Sequence, residues 1–306
     1  MNKEQQKRVA AIHDLSGFGK CSLTVALPIL SAAGIETSAL PTAILSTHTG
    51  GILGYTYRDL TEDMRPFMKH WKELDIRFDA VYSGFLGSFE QLDIVKEFFS
   101  LFKREDNLIL VDPVMGDNGE LYKIFTPKFA KGMRSLCERA DIIVPNLTEA
   151  ALLLGEPYQA GPYTKAYIDG ILHKLSQLGP KQVVLTGVYF DEKELGAATF
   201  DMERNATEYV LTEKIPGYYH GTGDVFASAL LSGLLNNFNL ERSAEIAVRF
   251  TAESILRTFK AQTDYRFGVK LRTIHSGFTK RTETDINESL FFLIFANKRN
   301  IIVWLN

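Results

Sequence analysis

The chain has 306 residues, 45% hydrophobic and 23% charged, a composition that suits an ordinary globular protein with a sizeable core. A net charge of −3 and a pI near 6.1 give no electrostatic footprint for nucleic acid or an anionic membrane. Cys21 and Cys137 form no CxxC pair or Cys/His cluster, which argues against a disulfide framework or zinc site and suits a reducing, cytoplasmic setting.

The first residues carry no long apolar run, so no signal peptide is expected. Residues 8–12 read as a strand, 22–33 as a helix closed by Gly34, and 35–41 as a second strand. After a glycine-bearing loop, 60–75 reads as helix, 80–83 as strand and 89–103 as helix. Residues 108–112 form a strand stopped by Pro113, with further strands at 142–145 and 182–186. Two runs, 196–200 and 208–212, flank a polar MERNAT loop as a hairpin. The late apolar stretch 290–304 is interrupted at Asn297–Asn300 and is too short and too charged to span a bilayer. Alternating strands and helices predict an α/β fold, a mostly parallel central sheet flanked by helices on both faces.

In an open α/β sheet, ligands bind beyond the carboxyl ends of the strands. Asp14 and Ser16, Asp112, Asn146 and Glu149, and Thr186 all fall at such ends. The strongest local signal is Gly221–Thr222–Gly223–Asp224 before an apolar helix, where curled backbone N–H groups and a helix N-terminus favour an anion. Asp224 can equally be a plain N-cap. Asp112 and Glu149 suit Mg²⁺, which takes one or two carboxylates, directly or through water, and keeps most of its waters. Asn146 and Glu149 also fit a capping box. Residues 16–22, SGFGKCS, lack the spacing of a Walker A loop and read as a tight strand-to-helix turn that a ligand can approach, with Ser22 where a dinucleotide fingerprint has its third glycine. His48, in the STHTGG loop, is a candidate base or an ordinary hydrogen-bonding residue. No Ser-His-acid arrangement points to a hydrolase.

Six segments in register resemble the pyridoxal kinase branch of the ribokinase-like superfamily: LSGFGK, LSTHTGG, YSGFLGS, DPVMGD, VPNLTEA and HGTGD. The resemblance spans roughly residues 8 to 260 and implies an ATP- and Mg²⁺-dependent kinase acting on the hydroxymethyl group of a B6 vitamer; it admits a monovalent cation and implies a homodimer. It makes Gly221, Thr222 and Gly223 the anion hole and Asp224 the catalytic base. Asp112, Asn146, Glu149 and Thr186 take the ATP–Mg²⁺ side, with Asp112 and Glu149 toward the metal. Asp14, Ser16, His48, Thr49, Phe85 and Asp224 face the substrate, Phe85 as a stacking ring. Pyridoxal kinases often have serine where Asp14 stands, and hydroxymethylpyrimidine kinases resemble this chain in having aspartate, so pyridine and pyrimidine both stay open. A non-catalytic vitamer-binding protein has no need of Asp224. A sugar or nucleoside kinase is disfavoured because the N-terminal half has no evident room for a β lid. The resemblance divides the chain into a kinase domain, 1–268, and a C-terminal extension, 269–306.

Overall fold

The computed structural model describes residues 6–271, so most of the expected C-terminal extension lies outside the described residues. The elements in chain order are β1 (Arg8–Phe18), α1 (Leu23–Ala32), β2 (Glu36–Thr47), β3 (Tyr57–Asp59), α2 (Thr61–Glu73), β4 (Ala80–Ser83) and α3 (Phe89–Phe102). Then come β5 (Leu108–Val111), β6 (Gly116–Asp117), β7 (Glu120–Leu121), α4 (Pro127–Cys137), β8 (Ile142–Ile143), α5 (Leu147–Leu154) and α6 (Lys165–Ser176). The last are β9 (Gln182–Val188), β10 (Glu194–Asp201), β11 (Ala206–Glu213), α7 (Thr222–Leu235), α8 (Leu240–Lys260) and a 3-10 turn, Tyr265–Phe267.

Nine strands form one sheet in the order β11-β10-β9-β8-β5-β4-β1-β2-β3. The pairs from β9 across to β2 are parallel, and antiparallel strands close both edges. Successive strand residues point to opposite faces, so Ile109 and Val111 pack into one core while Leu110 packs into the other. The first core joins α2 to α6 through Met64, Phe98, Met133, Leu153 and Ile168. The second joins α1, α7 and α8 through Ala26, Leu30, Phe226, Leu230 and Ala244. The expected α/β sandwich is present.

Two differences bear on the site. β1 pairs with β4 only from Val9 to Ile12, yet continues to Phe18 against β2, where a strand-to-helix turn was expected from Ser16 onward. β2 likewise runs to Thr47 rather than to 41, and β3 adds to its outer edge. The overrunning strands form a small three-stranded arm, so the N-terminal half holds more β structure than its sequence suggests. Gly17 explains the continuity, because a Cβ there would lie 3.3 Å from the carbonyl oxygens of Leu45 and Ser46. This glycine serves a close backbone approach within a strand. The expected boundary at 268 falls inside packed structure, since Val269 is buried against Val25, Ile29 and Val225.

Candidate active site

α7 is buried almost all round from Asp224 to Gly233, which fixes its N-terminus firmly at the sheet edge. Its N-cap is Gly221 at φ 76°, and no side chain caps the helix. The first N–H groups of a helix have no intrahelical partner, so this uncapped end leaves backbone donors of the kind that can receive an anion. A Cβ on Gly221 would lie 2.2 Å from the Lys20 carbonyl oxygen, so glycine is required by both angle and space. The Thr222 hydroxyl donates to the Tyr219 carbonyl at 3.2 Å.

Asp224 is the third residue of the helix rather than its cap. Its Oδ2 accepts the Ser22 N–H at 2.8 Å, across 202 residues of chain. Burial pushes its pKa up to about 6, against the opposing Ser22 hydrogen bond. Ser22 also donates its hydroxyl to Asp14 Oδ1 at 2.5 Å, and Ser16 donates to Asp14 Oδ2 at 3.1 Å. Ser22 therefore ties the two carboxylates together. It does so at φ 53° and ψ −126°, a conformation rare outside glycine, held by hydrogen bonds from both its amide and its hydroxyl. Burial raises the Asp14 pKa, partly offset by these two hydroxyls. The sequence shows Ser22 only as a missing glycine, so its role as a bridge was not foreseen.

On the other side, Asn146 caps α5 and completes a capping box with Glu149. Glu149 Oε2 accepts the Asn146 N–H at 2.9 Å and Oε1 accepts the Met115 N–H at 3.1 Å. Asn146 Nδ2 donates to the Gly116 carbonyl at 2.9 Å. These bonds hold the DPVMGD turn against α5. Asp112 lies close by, with Oδ2 3.9 Å from where a Gly223 Cβ would stand. No hydrogen bond offsets the pressure on its carboxyl, whose pKa is raised well above the usual range by burial and by Glu149 and Asp224. Burial also raises the Glu149 pKa, to about 8. Thr186 forms a lone parallel bridge with Asn146.

No group of three His, Cys, Asp or Glu side chains that could hold a metal occurs among the described residues. A cation held by one free carboxylate and by phosphate oxygens needs no such cluster. Asp112 has the right chemistry for Mg²⁺, a hard oxygen donor without a protein partner. Glu149, with both oxygens engaged by backbone, fits at one remove through water.

The remaining expected residues divide. His48 accepts the Gly50 N–H at Nδ1, at 3.1 Å, so its proton is on Nε2, which donates to the Arg266 carbonyl. Nδ1 braces its own loop, and Nε2 fastens that loop to the 3-10 turn. Thr49 is exposed. Phe85 is partly buried with its ring 5.8 Å from that of Phe125. Tyr57 of β3 was not anticipated. Its hydroxyl lies 2.9 Å from a Cβ position on Gly87, and its pKa, raised to about 12 chiefly by burial, also feels Asp59 and Asp14. Asp117, inside the DPVMGD segment, accepts the Tyr218 hydroxyl at 2.8 Å and joins the two sides of the site.

Comparison with known proteins places the chain in a family. The phosphomethylpyrimidine kinase family model matches residues 42–267. A pyridoxal kinase of Arabidopsis thaliana is 32% identical over 272 residues, 83% of this chain and 81% of its own. A Bacteroides thetaiotaomicron protein assigned as a phosphomethylpyrimidine kinase, crystallised with pyridoxal, is 41% identical with a TM-score of 0.83, covering 87% of this chain and 93% of its own. The pyridoxal kinase of Lactobacillus plantarum is 31% identical with a TM-score of 0.82, covering 96% and 99%.

Proposed function

We propose, for a chain that belongs to the phosphomethylpyrimidine kinase family and to its pyridoxal kinase branch within the ribokinase-like superfamily, a reaction at the Asp224 end of the site. The protein is a pyridoxal kinase that transfers the γ-phosphoryl group of ATP to the hydroxymethyl oxygen of a B6 vitamer. The observation that carries the site assignment is the buried Asp224 carboxylate, one residue beyond the uncapped N–H groups of α7.

In this reading the vitamer lies against Asp14 and Phe85, with its hydroxymethyl group toward Asp224. The Gly221–Gly223 backbone N–H groups hold the γ-phosphate. As the substrate oxygen bonds to phosphorus, its proton passes to Asp224, and the bond from phosphorus to the β-phosphate oxygen breaks to release ADP. The base contributes modestly in a loose transition state, while positioning and charge neutralisation dominate. Asp112 directly, and Glu149 through water, would hold Mg²⁺, with Asn146 and Thr186 beside the phosphates. When bound, Mg²⁺ neutralises charge between the phosphates. The concentration of carboxylates here, Asp14, Asp112, Glu149 and Asp224, supports that need for a cation. A monovalent cation belongs to the same proposal, tested by activity in potassium against choline salts. Ser16 supports Asp14, and His48 and Thr49 border the substrate by shaping the loop rather than by chemistry.

A homodimer is supported by the apolar side chains Phe18, Ile44 and Tyr57 exposed on the arm, and sedimentation tests it. Cytoplasmic placement is supported by the two free cysteines. No helix among the described residues is long and apolar enough to cross a membrane. The kinase unit in this proposal includes the packed Val269, so any extension begins after it rather than at 269.

Asp14 favours a second reading, phosphorylation of hydroxymethylpyrimidine at the same site. A coupled assay with pyridoxal, pyridoxamine, pyridoxine, hydroxymethylpyrimidine, ribose and adenosine decides between them. Turnover of at least one B6 vitamer above that of ribose and adenosine is expected. Phosphorylation of the pyrimidine alone, or of a sugar or nucleoside alone, overturns the assignment.

A further inference from the structure

His13 is the first residue of β1 past its pairing with β4, and it precedes the irregularity where β2 carries an extra residue between Pro41 and Ile44. Such bulges re-aim side chains next to functional sites. The His13 ring is fully buried, and neither nitrogen has a hydrogen-bond partner. Its Nδ1 lies 3.9 Å from Asp224 Oδ1, too long for a hydrogen bond. The ring meets Tyr82 edge-on at 4.3 Å. A Cβ on Gly84 would lie 2.3 Å from Nδ1 and 2.4 Å from Cε1, so the glycine in YSGFLGS is what admits the imidazole. The Ser83 hydroxyl is also buried without a partner, and those of Tyr82 and Ser228 have only one another. Unsatisfied buried polar groups are costly and rare, and a group of them beside a reacting carboxylate calls for a functional cause.

We propose that His13 is a positioning residue for Asp224, its Nδ1–H donating to Oδ1 when substrate is bound, while the Ser22 amide holds Oδ2. This rests on the reading of Asp224 as the base. Catalytic hydrogen bonds are often long in a site without substrate and tighten in the complex. Each carboxylate oxygen has two acceptor sites, so these two donors fix the carboxylate's rotation and leave a lone pair for the substrate proton. Burial with no partner brings the His13 pKa down to about 3, so the ring is neutral and one nitrogen carries a proton. Asp224 is the carboxylate that faces it, with Tyr82 beside the ring. A donor at Oδ1 opposes the burial that raises the Asp224 pKa.

The test uses the full chain with His13→Leu, His13→Asn and His13→Gln, measuring kcat, vitamer KM and Tm. An Asn side-chain nitrogen falls near Nδ1 and a Gln nitrogen near Nε2. Misplacing a reacting group by about 1 Å can cost ~100-fold, so His13→Leu is expected to lower kcat on the order of 10-fold or more, with KM little changed. Its Tm should hold or rise, because an apolar replacement removes an orphaned polar group. Asn should recover most of kcat and Gln should not. Wild-type kcat in His13→Leu, or equal losses in Asn and Leu, overturns the proposal. Should His13→Leu fail to fold, nitrogen-15 NMR of the wild-type imidazole still decides. The Nδ1–H tautomer is expected, and the Nε2–H tautomer overturns it. Unchanged kcat in Asp224→Asn would instead remove the base itself, a failure visible apart from the tautomer.

Discussion

Glu149 and Asp224 are both buried carboxylates at the third position of a helix, and burial raises the proton affinity of each. At the start of α5, Asn146 supplies a side-chain cap and Glu149 closes the box. At the start of α7, glycine stands at the cap and Asp224 turns away from its own helix to the Ser22 amide. The first helix end is satisfied from within the protein. The second leaves its N–H groups for something else. A carboxylate with every oxygen engaged by backbone keeps structure, whereas one with open lone pairs is available for chemistry.

Asp224→Asn should break the comparison most severely. The amide oxygen still accepts the Ser22 N–H but the side chain cannot take a proton, so kcat should fall roughly 10²-fold or more, the usual scale for a general base. Retention of wild-type kcat would remove the catalytic role. The pH dependence carries a definite sign. As the proposed base, Asp224 must be ionised, so kcat should fall as pH drops below about 6. The folded-state pKa lies above its ordinary 3.8, so its stabilising contribution is present below 3.8 and is lost as pH rises through about 6. The Tm of Asp224→Asn relative to wild type should therefore improve from pH 4 to pH 7, as calorimetry can follow.

Asp112→Asn comes next. With no hydrogen bond to lose, its stability should be unchanged or improved, while the Mg²⁺ concentration for half activity rises ~10-fold or more, the scale for a lost metal-supporting group. A wild-type magnesium titration would show that Asp112 does not serve the cation. Glu149→Gln should show the reverse pattern. One of its two backbone donors, at Met115 or Asn146, then faces an NH₂ group and is left unsatisfied, costing about 1–3 kcal/mol. Tm should fall by several degrees, with a smaller shift in magnesium dependence. If the magnesium requirement moves more than Tm, the contrast with Asp112 fails.

Ser22 gives the smallest and sharpest effect. Ser22→Ala loses the hydroxyl bond to Asp14 and keeps the positive φ, so vitamer KM should rise and Tm fall. Ser22→Gly loses the same bond but relieves the backbone, so KM should rise while Tm holds. Equal Tm values for the two variants would mean that no strain is held at Ser22.

The parallel sheet, several of its helices and the segments carrying Asp14, Asp112, Asn146 and Asp224 were legible because alternation and glycine-bearing strand ends are local signals. The arm was not, because Gly17 and Gly19 read as a turn when Gly17 serves contact between neighbouring strands. β3, β6 and β7 are two or three residues long, too short for any period. The Asn146–Glu149 capping box was visible in the sequence as one of two readings, and it is present. Asp224 as an N-cap was also visible, but the cap is Gly221. Ser22 and His13 escaped notice because their meaning lies in a backbone angle and in an empty hydrogen-bonding shell.

The Lys20 turn is enclosed by distant chain. Its amide donates to the Phe267 carbonyl at 3.1 Å, a Cβ on Gly268 would lie 2.6 Å from the Lys20 carbonyl oxygen, and Gly221 presses the same oxygen. His48 is fastened to Arg266 in the same region. On a ribosome, synthesis runs from the N-terminus, and the residues that lock this turn are made more than 200 positions after it. The first strand and helix can gather early, but the Lys20 turn is enclosed only once residue 268 has emerged. A growing chain therefore cannot close this turn until the whole sheet stands behind it.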